Sequence, residues 1–380
     1  MGQRLRTERA YRGTYRWRGR AAALVVGTLF LTACGSEGSR DESAPSPTGT
    51  VPNVECVDAG QVRGSGSTAQ QNAMKRWMEQ YQQACPGVQL VYDPLGSGAG
   101  VAQFQRGATA FGGTDEALSD EDRVLTEDVC PGGQALDLPM LGGPVAVGYN
   151  VPGLTGLVLD APTLARIFDT RITRWNDPAI QRLNPKAKLP DLAISPVHRA
   201  DDSGTTQNLN AYLKAAAKDS WPYPADKKWH GRGGHSAPGS DAVSTTVTRT
   251  DGAIGYFELS FAAERKIDTV LVDTGASRPV APSTESASAG IAEAKVVGEG
   301  RDLTLRLDYK TSAEGAYPIV LVTYEIVCDT GNQPESLPAL RSFLTYAASE
   351  EGQAQLHSIH YAPLPAEVAA QVREVVATLS

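Results

Sequence analysis

QVRGSGSTAQQNAMKRWMEQYQQACPGVQLVYDPLGSGAGVAQF, residues 61–104, switches twice from an extended apolar run to a helical one. The first run, near Gly60 to Gly64, passes through a Gly/Ser turn into a stretch, Ala69 to Ala84, that sets Met74, Trp77, Met78 and Tyr81 on one helical face. Cys85-Pro86-Gly87 stops that helix. Val88 to Tyr92 reads as a second strand, and a second Gly-rich turn, Gly96 to Gly100, leads into a helix around Val101 to Arg106. Strand, turn and helix taken twice make an α/β unit, and the alternation continues down the chain without an internal sequence repeat.

Working outward, Gly142-Gly143-Pro144 before Val145 to Tyr149 predicts a change of element at a hinge, followed by a loop from Asn150 to Thr155. Beyond it come an amphipathic segment, Ala161 to Phe168, a strand at Leu192 to Val197, a Ser/Gly turn at Asp202 to Thr205 and a helix from Gln207 to Lys218. Trp221 to Gly239, rich in Gly, Pro, His and Lys, predicts a surface loop. Ala316 to Val327 (AYPIVLVTYEIV) is apolar and β-branched, which predicts a buried parallel strand. Helices at Pro338 to Ala348 and Ala366 to Ser380 close the chain.

The 380 residues, 41% apolar and 21% charged, have room for two globular units and are far from a disordered composition. The formal net charge is -8, and the first 33 residues hold seven Arg against one Glu, so the remainder is more acidic still. Such a surface repels nucleic acid, which drops out as a partner. Residues 1–33 read as an export signal: a basic stretch from Arg4 to Arg20, a short apolar run AAALVVGTLFL, then Leu31-Thr32-Ala33-Cys34, a lipobox-like end whose Cys34 would carry lipid. Residues 34–57 read as a Ser/Pro/Gly-rich tether. The other four cysteines, Cys56, Cys85, Cys130 and Cys328, predict two disulfides in an oxidising space. Three pairings are open, with Cys85 to Cys130 favoured. No zinc-type spacing occurs, and no metal or cofactor is expected.

Three turns each precede a helix: GSGST (Gly64 to Thr68), GSGAG (Gly96 to Gly100) and DSGTT (Asp202 to Thr206). Helix N-termini offer unpaired N–H groups and a positive dipole end, Gly admits close approach, and Ser or Thr adds a hydroxyl donor. Together they read as anion nests. None is a nucleotide P-loop, since no Gly-Lys-Ser/Thr follows. Arg199, four residues before Ser203, can add a bidentate fork, with Asp201 bracing it. Asp115, after the Gly112-Gly113 pair, places a carboxylate where a strand should end; capping a helix before Leu118 is the alternative use.

At these residues the chain resembles the phosphate-binding lipoproteins of bacterial phosphate ABC importers, in their actinobacterial form. The resemblance is carried by GSGSTAQ, GSGAGVAQF, FGGTDEALS, GPVAVGYN, LARIFDTRITRWNDPAI, HRADDSGTT and DGAIGYFE. It implies a type II periplasmic-binding-protein-like α/β fold, with two lobes of mixed sheets joined by a two-segment hinge. Lobe I would comprise 58–141 and 317–380, and lobe II 142–316. By position it implies ligand contacts from Thr68, the N–H of Ala69, Ser97, Asp115, Arg199, Ser203, Gly204 and Thr205, with Asp201 in support. The implied ligand is inorganic phosphate, and the implied partner a permease of two transmembrane subunits with an ATPase. The implied protein is a monomer held by lipid on the extracytoplasmic face of the cell membrane. Two departures stand out: many relatives carry an aromatic residue at Ala69, and the family's Gly-Asn-Asp-Gly loop is here Pro238-Gly239-Ser240-Asp241.

Phosphate fits the chemistry independently. It keeps a proton at neutral pH that Asp115 can accept, whereas sulfate would set its oxygens against a buried carboxylate, at a cost of several kcal/mol. Another tetrahedral oxyanion would not need Asp115. A phosphate-ester hydrolase using His198, Asp201 and Ser203 is disfavoured, since the three lie on one turn and no GxSxG elbow is present. A binder rather than an enzyme is expected.

Overall fold

The computed structural model describes residues 54–292 and 294–380. The export signal, Cys34 and all but the end of the tether lie outside the described residues. The first part alternates as its sequence dictates: β1 (Gly60–Gly66), α1 (Gln71–Ala84), β2 (Val88–Asp93), α2 (Ser97–Gln105), β3 (Phe111–Thr114), then the short α3 (Asp120–Val124). The long β4 (Ala135–Tyr149) follows, with β5 (Val158–Asp160), α4 (Ala161–Phe168), α5 (Pro178–Leu183), β6 (Ser195–Arg199) and α6 (Gly204–Ala216). Next come β7 (His235–Ala237), α7 (Gly239–Arg249), β8 (Ala253–Glu258), α8 (Leu259–Arg265), β9 (Asp268–Thr269), β10 (Leu271–Asp273) and α9 (Thr284–Ile291). The chain ends with β11 (Lys295–Val296), β12 (Leu305–Arg306), β13 (Val320–Cys328), α10 (Leu337–Ala347), α11 (Glu350–His357) and α12 (Ala366–Ala377). Among the described residues no helix is long and apolar enough to cross a membrane.

One sheet runs in the order β2-β1-β3-β13-β4-β8-β6-β7, with β9 beside β4. β2, β1 and β3 are mutually parallel, and so are β8, β6 and β7, so each group sends its strand ends to one edge. Between the groups, β4 and β13 run antiparallel. β4 is paired to β13 as far as Pro144 and to β8 from Val145 onward. The expected break of element at Gly142 to Pro144 is therefore a change of partners within an unbroken strand. The sequence cue was real, because Gly and Pro mark the join, but a fully buried backbone keeps its hydrogen bonds by continuing as strand.

β13 corrects a second expectation: it is antiparallel to both β3 and β4. Its nine residues are all buried because it lies mid-sheet with apolar cores on both faces. A continuous apolar run reports two-sided burial, not strand direction. The stretch Trp221 to Gly239 is no mere surface loop either. Trp221 is fully buried and meets Trp229, which stacks on His198 at 4.9 Å and on Tyr256 at 5.8 Å. Helix starts also shift: α1 begins two residues later than expected, α2 at Ser97 inside the expected turn, and α6 at Gly204 rather than Gln207.

The disulfides join Cys56 to Cys85 and Cys130 to Cys328, not Cys85 to Cys130. Cys85 ends α1, where the segment entering β1 passes, while Cys130 faces the end of β13. The Cα separations of 5.3 and 5.2 Å fall within disulfide reach.

Candidate functional site

The register that pairs Gly66 with Gly113 brings the carboxyl ends of β1 and β3 side by side, and Ser67 N–H donates to the Gly113 carbonyl at 2.8 Å. Opposite them stand the end of β6, at Arg199, and the starts of α6 and α7. Crevices at the carboxyl ends of parallel strands are where α/β sheets bind ligands, because helix N-termini converge there.

Asp115 leaves β3 into this space and is 3% exposed. It caps no helix, since α3 is capped by Ser119. Its Oδ1 accepts from Ser67 Oγ at 2.5 Å and from Thr323 Oγ1 at 3.0 Å, and its Oδ2 accepts from Thr205 Oγ1 at 3.4 Å. Burial pushes its pKa up from the ordinary carboxylate value, while the Ser67 and Thr323 hydroxyls, the Arg199 charge and Thr205 hold it back. The result is a carboxyl oriented wholly by donors, more basic than usual and suited to accepting an O–H.

Arg199 is 2% exposed. Its Nε donates to Asp201 Oδ1 at 2.8 Å, its Nη2 pairs with Asp201 Oδ2, and its Nη1 lies 3.5 Å from Thr205 Oγ1. This bidentate brace aims the remaining N–H groups toward Thr205 and Asp115. Although burial alone would raise it, Asp201 is held below the ordinary value by Arg199 and by the N–H of Gly239. Gly96, at φ +99°, passes where an added Cβ would strike Asp201 Oδ2, so this position requires glycine.

Ser97 opens α2 and ties the opposing edges: its Oγ accepts from the N–H of Gly204 at 3.1 Å and of Asp115 at 3.3 Å. Ser203 caps α6 by accepting from Thr206 N–H at 3.2 Å. Thr68 Oγ1 accepts from Ser240 N–H at 3.1 Å and lies 3.0 Å from Ser240 Oγ. The N–H of Ala69 donates to Ser67 Oγ at 3.0 Å. Thr68, Ala69, Ser97, Asp115, Arg199, Ser203, Gly204 and Thr205 thus fall in one buried cluster, with the half-buried Asp201 at its edge.

Two expectations need adjustment. GSGST does not itself start a helix: Gly64 to Gly66 finish β1, and α1 begins only at Gln71. The departed loop Pro238 to Asp241 still closes the site, through the Gly239 N–H on Asp201 and Ser240 on Thr68. Sequence reasoning missed Ser67, Ser240 and Thr323. Ser67 lay inside a quoted motif, and Thr323 is a hydroxyl in an otherwise apolar strand. Ser240 lay inside the loop noted as departing from the family's pattern, whose role the sequence left open.

Chemically the cluster offers one buried guanidinium, several hydroxyls, helix-start N–H groups and one oriented acceptor. That suits a small oxyanion bearing a proton. Among the described residues no group of three or more His, Cys, Asp or Glu could hold a metal ion.

Residues 53–351 match the family model described as the PBP superfamily domain. The chain is 41% identical over 350 residues to the phosphate-binding protein PstS 3 of Mycobacterium leprae, covering 91% of this chain and 94% of that one. It is likewise 41% identical over 364 residues to the phosphate-binding protein PstS 2 of Mycobacterium tuberculosis, covering 94% of this chain and 97% of that one. Among solved structures it shares its fold with a high-affinity periplasmic phosphate-binding protein bound with phosphate (TM-score 0.68, 21% identity, 83% of this chain and 93% of that one). A putative phosphate ABC transporter substrate-binding protein from Clostridium perfringens aligns with TM-score 0.59 and 19% identity, over 80% of this chain and 100% of that one.

Proposed function

Because the chain belongs to the PBP superfamily and, within it, to the PstS phosphate-binding proteins, we propose that it captures inorganic phosphate and delivers it to an ABC importer. The observation that carries the reading is Asp115, a buried carboxyl held by three hydroxyl donors and facing a braced Arg199. Thr68, the Ala69 N–H, Ser97, Arg199, Ser203, Gly204 and Thr205 donate to the phosphate oxygens; Asp115 accepts its proton. Net acidity of the chain is no obstacle, since short hydrogen bonds in a desolvated site outweigh a screened distant charge.

The two-lobe division, 58–141 with 317–380 against 142–316, is part of the proposal. It is supported by the change of partners in β4 at Pro144, alongside which Val145 N–H donates to the Ile319 carbonyl at 2.7 Å. Two adjacent crossing segments of this kind suit a hinge. The same reading places the protein outside the cytoplasm, as a monomer anchored through lipid on Cys34 after removal of residues 1–33. The two disulfides favour an oxidising space. It serves a permease with an ATPase and acts as a binder, not a catalyst. His198 supports the last point: its ring stacks on Trp229 and its Nδ1 lies 3.0 Å from the Arg199 carbonyl, while Ser203 Oγ caps α6. Thermal melting tests the reading: phosphate should raise the melting temperature at concentrations where sulfate does not, and equal shifts would favour a non-selective oxyanion binder.

A further inference from the structure

Away from the groups that would touch the anion, a fully buried carboxyl stands where β4 changes partners. Glu258 ends β8 opposite Val145, and Gly143 passes so near that an added Cβ would lie 3.2 Å from Glu258 Cγ. Its Oε2 accepts from Ser260 N–H at 2.9 Å and makes a short contact with Ser260 Oγ, while Oε1 has no partner. Ser260 Oγ accepts from Asn72 Nδ2 at 2.9 Å and lies 3.1 Å from Tyr361 OH. Tyr361 OH, also fully buried, donates to the Ala69 carbonyl at 2.6 Å.

Counting protons decides what this chain of contacts is. Ser260 has one hydroxyl proton and two lone pairs, one of which takes Asn72. If that proton went to an ionised Glu258, the Ser260–Tyr361 contact would have no hydrogen. If it goes to Tyr361, the Glu258–Ser260 contact must be supplied by a proton on Glu258. Only the second arrangement provides a hydrogen for each of the three contacts, from Glu258 to Ser260, Ser260 to Tyr361 and Tyr361 to Ala69.

We propose that Glu258 is a positioning residue for ligand binding: as a neutral carboxylic acid it heads a one-way hydroxyl relay that pins the Ala69 carbonyl, and with it the turn Ser67 to Gln70 that carries the Ala69 N–H. This rests on the reading that Ala69 N–H binds phosphate. Burial agrees with it, pushing the carboxyl up to about 8. The groups facing Glu258 are Leu259 and Ser260 of α8, Tyr361 of the C-terminal segment, and Gly143 and Val145 of β4. Of these only Tyr361 titrates, and burial keeps it well above its ordinary value. Among the described residues no Lys, Arg or His pairs with Glu258. Lys75, Arg76, Glu79, Glu264 and His360 line the groove in which Ser260 and Asn72 surface.

The test uses the full chain and two readouts from pH 5 to 9.5. In phosphate titration calorimetry, Glu258→Gln, whose amide donates to Ser260 at any pH, should match the wild type within about twofold at pH 6.5 and bind about fivefold more tightly than it by pH 9.5. Comparing the two proteins cancels the ionisation of phosphate itself. Ser260→Ala and Tyr361→Phe should each weaken binding about fivefold, and the double variant no further, because both cut one relay. A wild-type to Glu258→Gln ratio that is constant with pH, or additive losses at Ser260 and Tyr361, would overturn the proposal. The melting temperature without phosphate is the second readout. A carboxyl whose folded pKa is raised contributes stability below its unfolded value that is lost as pH climbs through the folded one. Wild type should therefore lose ground to Glu258→Gln between pH 5 and 8 and no more above, whereas a pH-independent gap would refute the neutral carboxyl. If the wild type binds no phosphate, the ligand reading alone fails, and the melting series still decides on Glu258.

Discussion

Replacing Asp115 by Asn changes one atom's role without changing its size. The amide oxygen can take the Oδ1 position and keep Ser67 and Thr323 as donors, which places the NH2 where Oδ2 now faces Thr205. Phosphate then meets a donor where its own O–H had an acceptor, and a hydrogen bond to a charged group, about 1.5–3 kcal/mol, is lost. At 1.36 kcal/mol per decade this is roughly a 10- to 150-fold loss of phosphate affinity. Sulfate gains by a comparable amount, because its oxygens no longer oppose a desolvated carboxylate and find an N–H instead. The preference for phosphate over sulfate should thus fall by roughly 10² to 10⁴. The ligand-free variant should melt no lower than the wild type, since burial penalises the charge removed. Calorimetric titration at pH 7 with each anion, backed by competition against labelled phosphate, reads the ratio directly. An unchanged ratio, or an equal loss for both anions, would refute the reasoning, because it would mean that Asp115 only shapes the site.

Arg199→Lys removes the fork that Asp201 holds at Nε and Nη2, and a single ammonium cannot serve both the brace and the anion; phosphate affinity should fall by about 100-fold with little change in fold stability, as calorimetry and melting would show. Gly204→Ala puts a Cβ 2.6 Å from Asp115 Cβ and 2.7 Å from Ser97 Oγ, so α6 must back away from β3; dissociation of phosphate should quicken at least tenfold in stopped-flow measurements. Removing the disulfides tests their separate weights. With sequence separations of 29 and 198, loop-closure entropy puts Cys56–Cys85 at about 3.5 kcal/mol and Cys130–Cys328 at about 5 kcal/mol. Denaturant unfolding of the paired Cys→Ala variants should rank them in that order.

The parts of this fold legible from sequence are those whose cause is local. β1, α1, β2 and α2 announce themselves because apolar spacing changes from a strand's period to a helix's within 44 residues, with Gly and Pro at the joins. The direction of β13 was not legible, since buried strands of either sense present the same apolar run, and direction is set by partners far along the chain. The site divides the same way. Thr68, Ser97, Asp115, Arg199 and Ser203 stand at strand ends and helix starts that the sequence marks. Thr323 and Ser240 enter it from 208 residues beyond Asp115 and 172 beyond Thr68, distances over which only the folded chain brings them together. The cysteine pairing was hidden for a different reason: Cys56 and Cys85 are neighbours along the chain, but four cysteines allow three pairings, and only the folded chain shows that the segment before β1 passes the end of α1.

The central claim is selective phosphate capture, and equilibrium dialysis tests it most directly. The chain from Val54 onward is dialysed at pH 7 against labelled phosphate with sulfate in large excess. One phosphate per chain should be retained despite the sulfate and lost in Arg199→Lys. No retained label, or label that sulfate displaces as readily as unlabelled phosphate does, would contradict it.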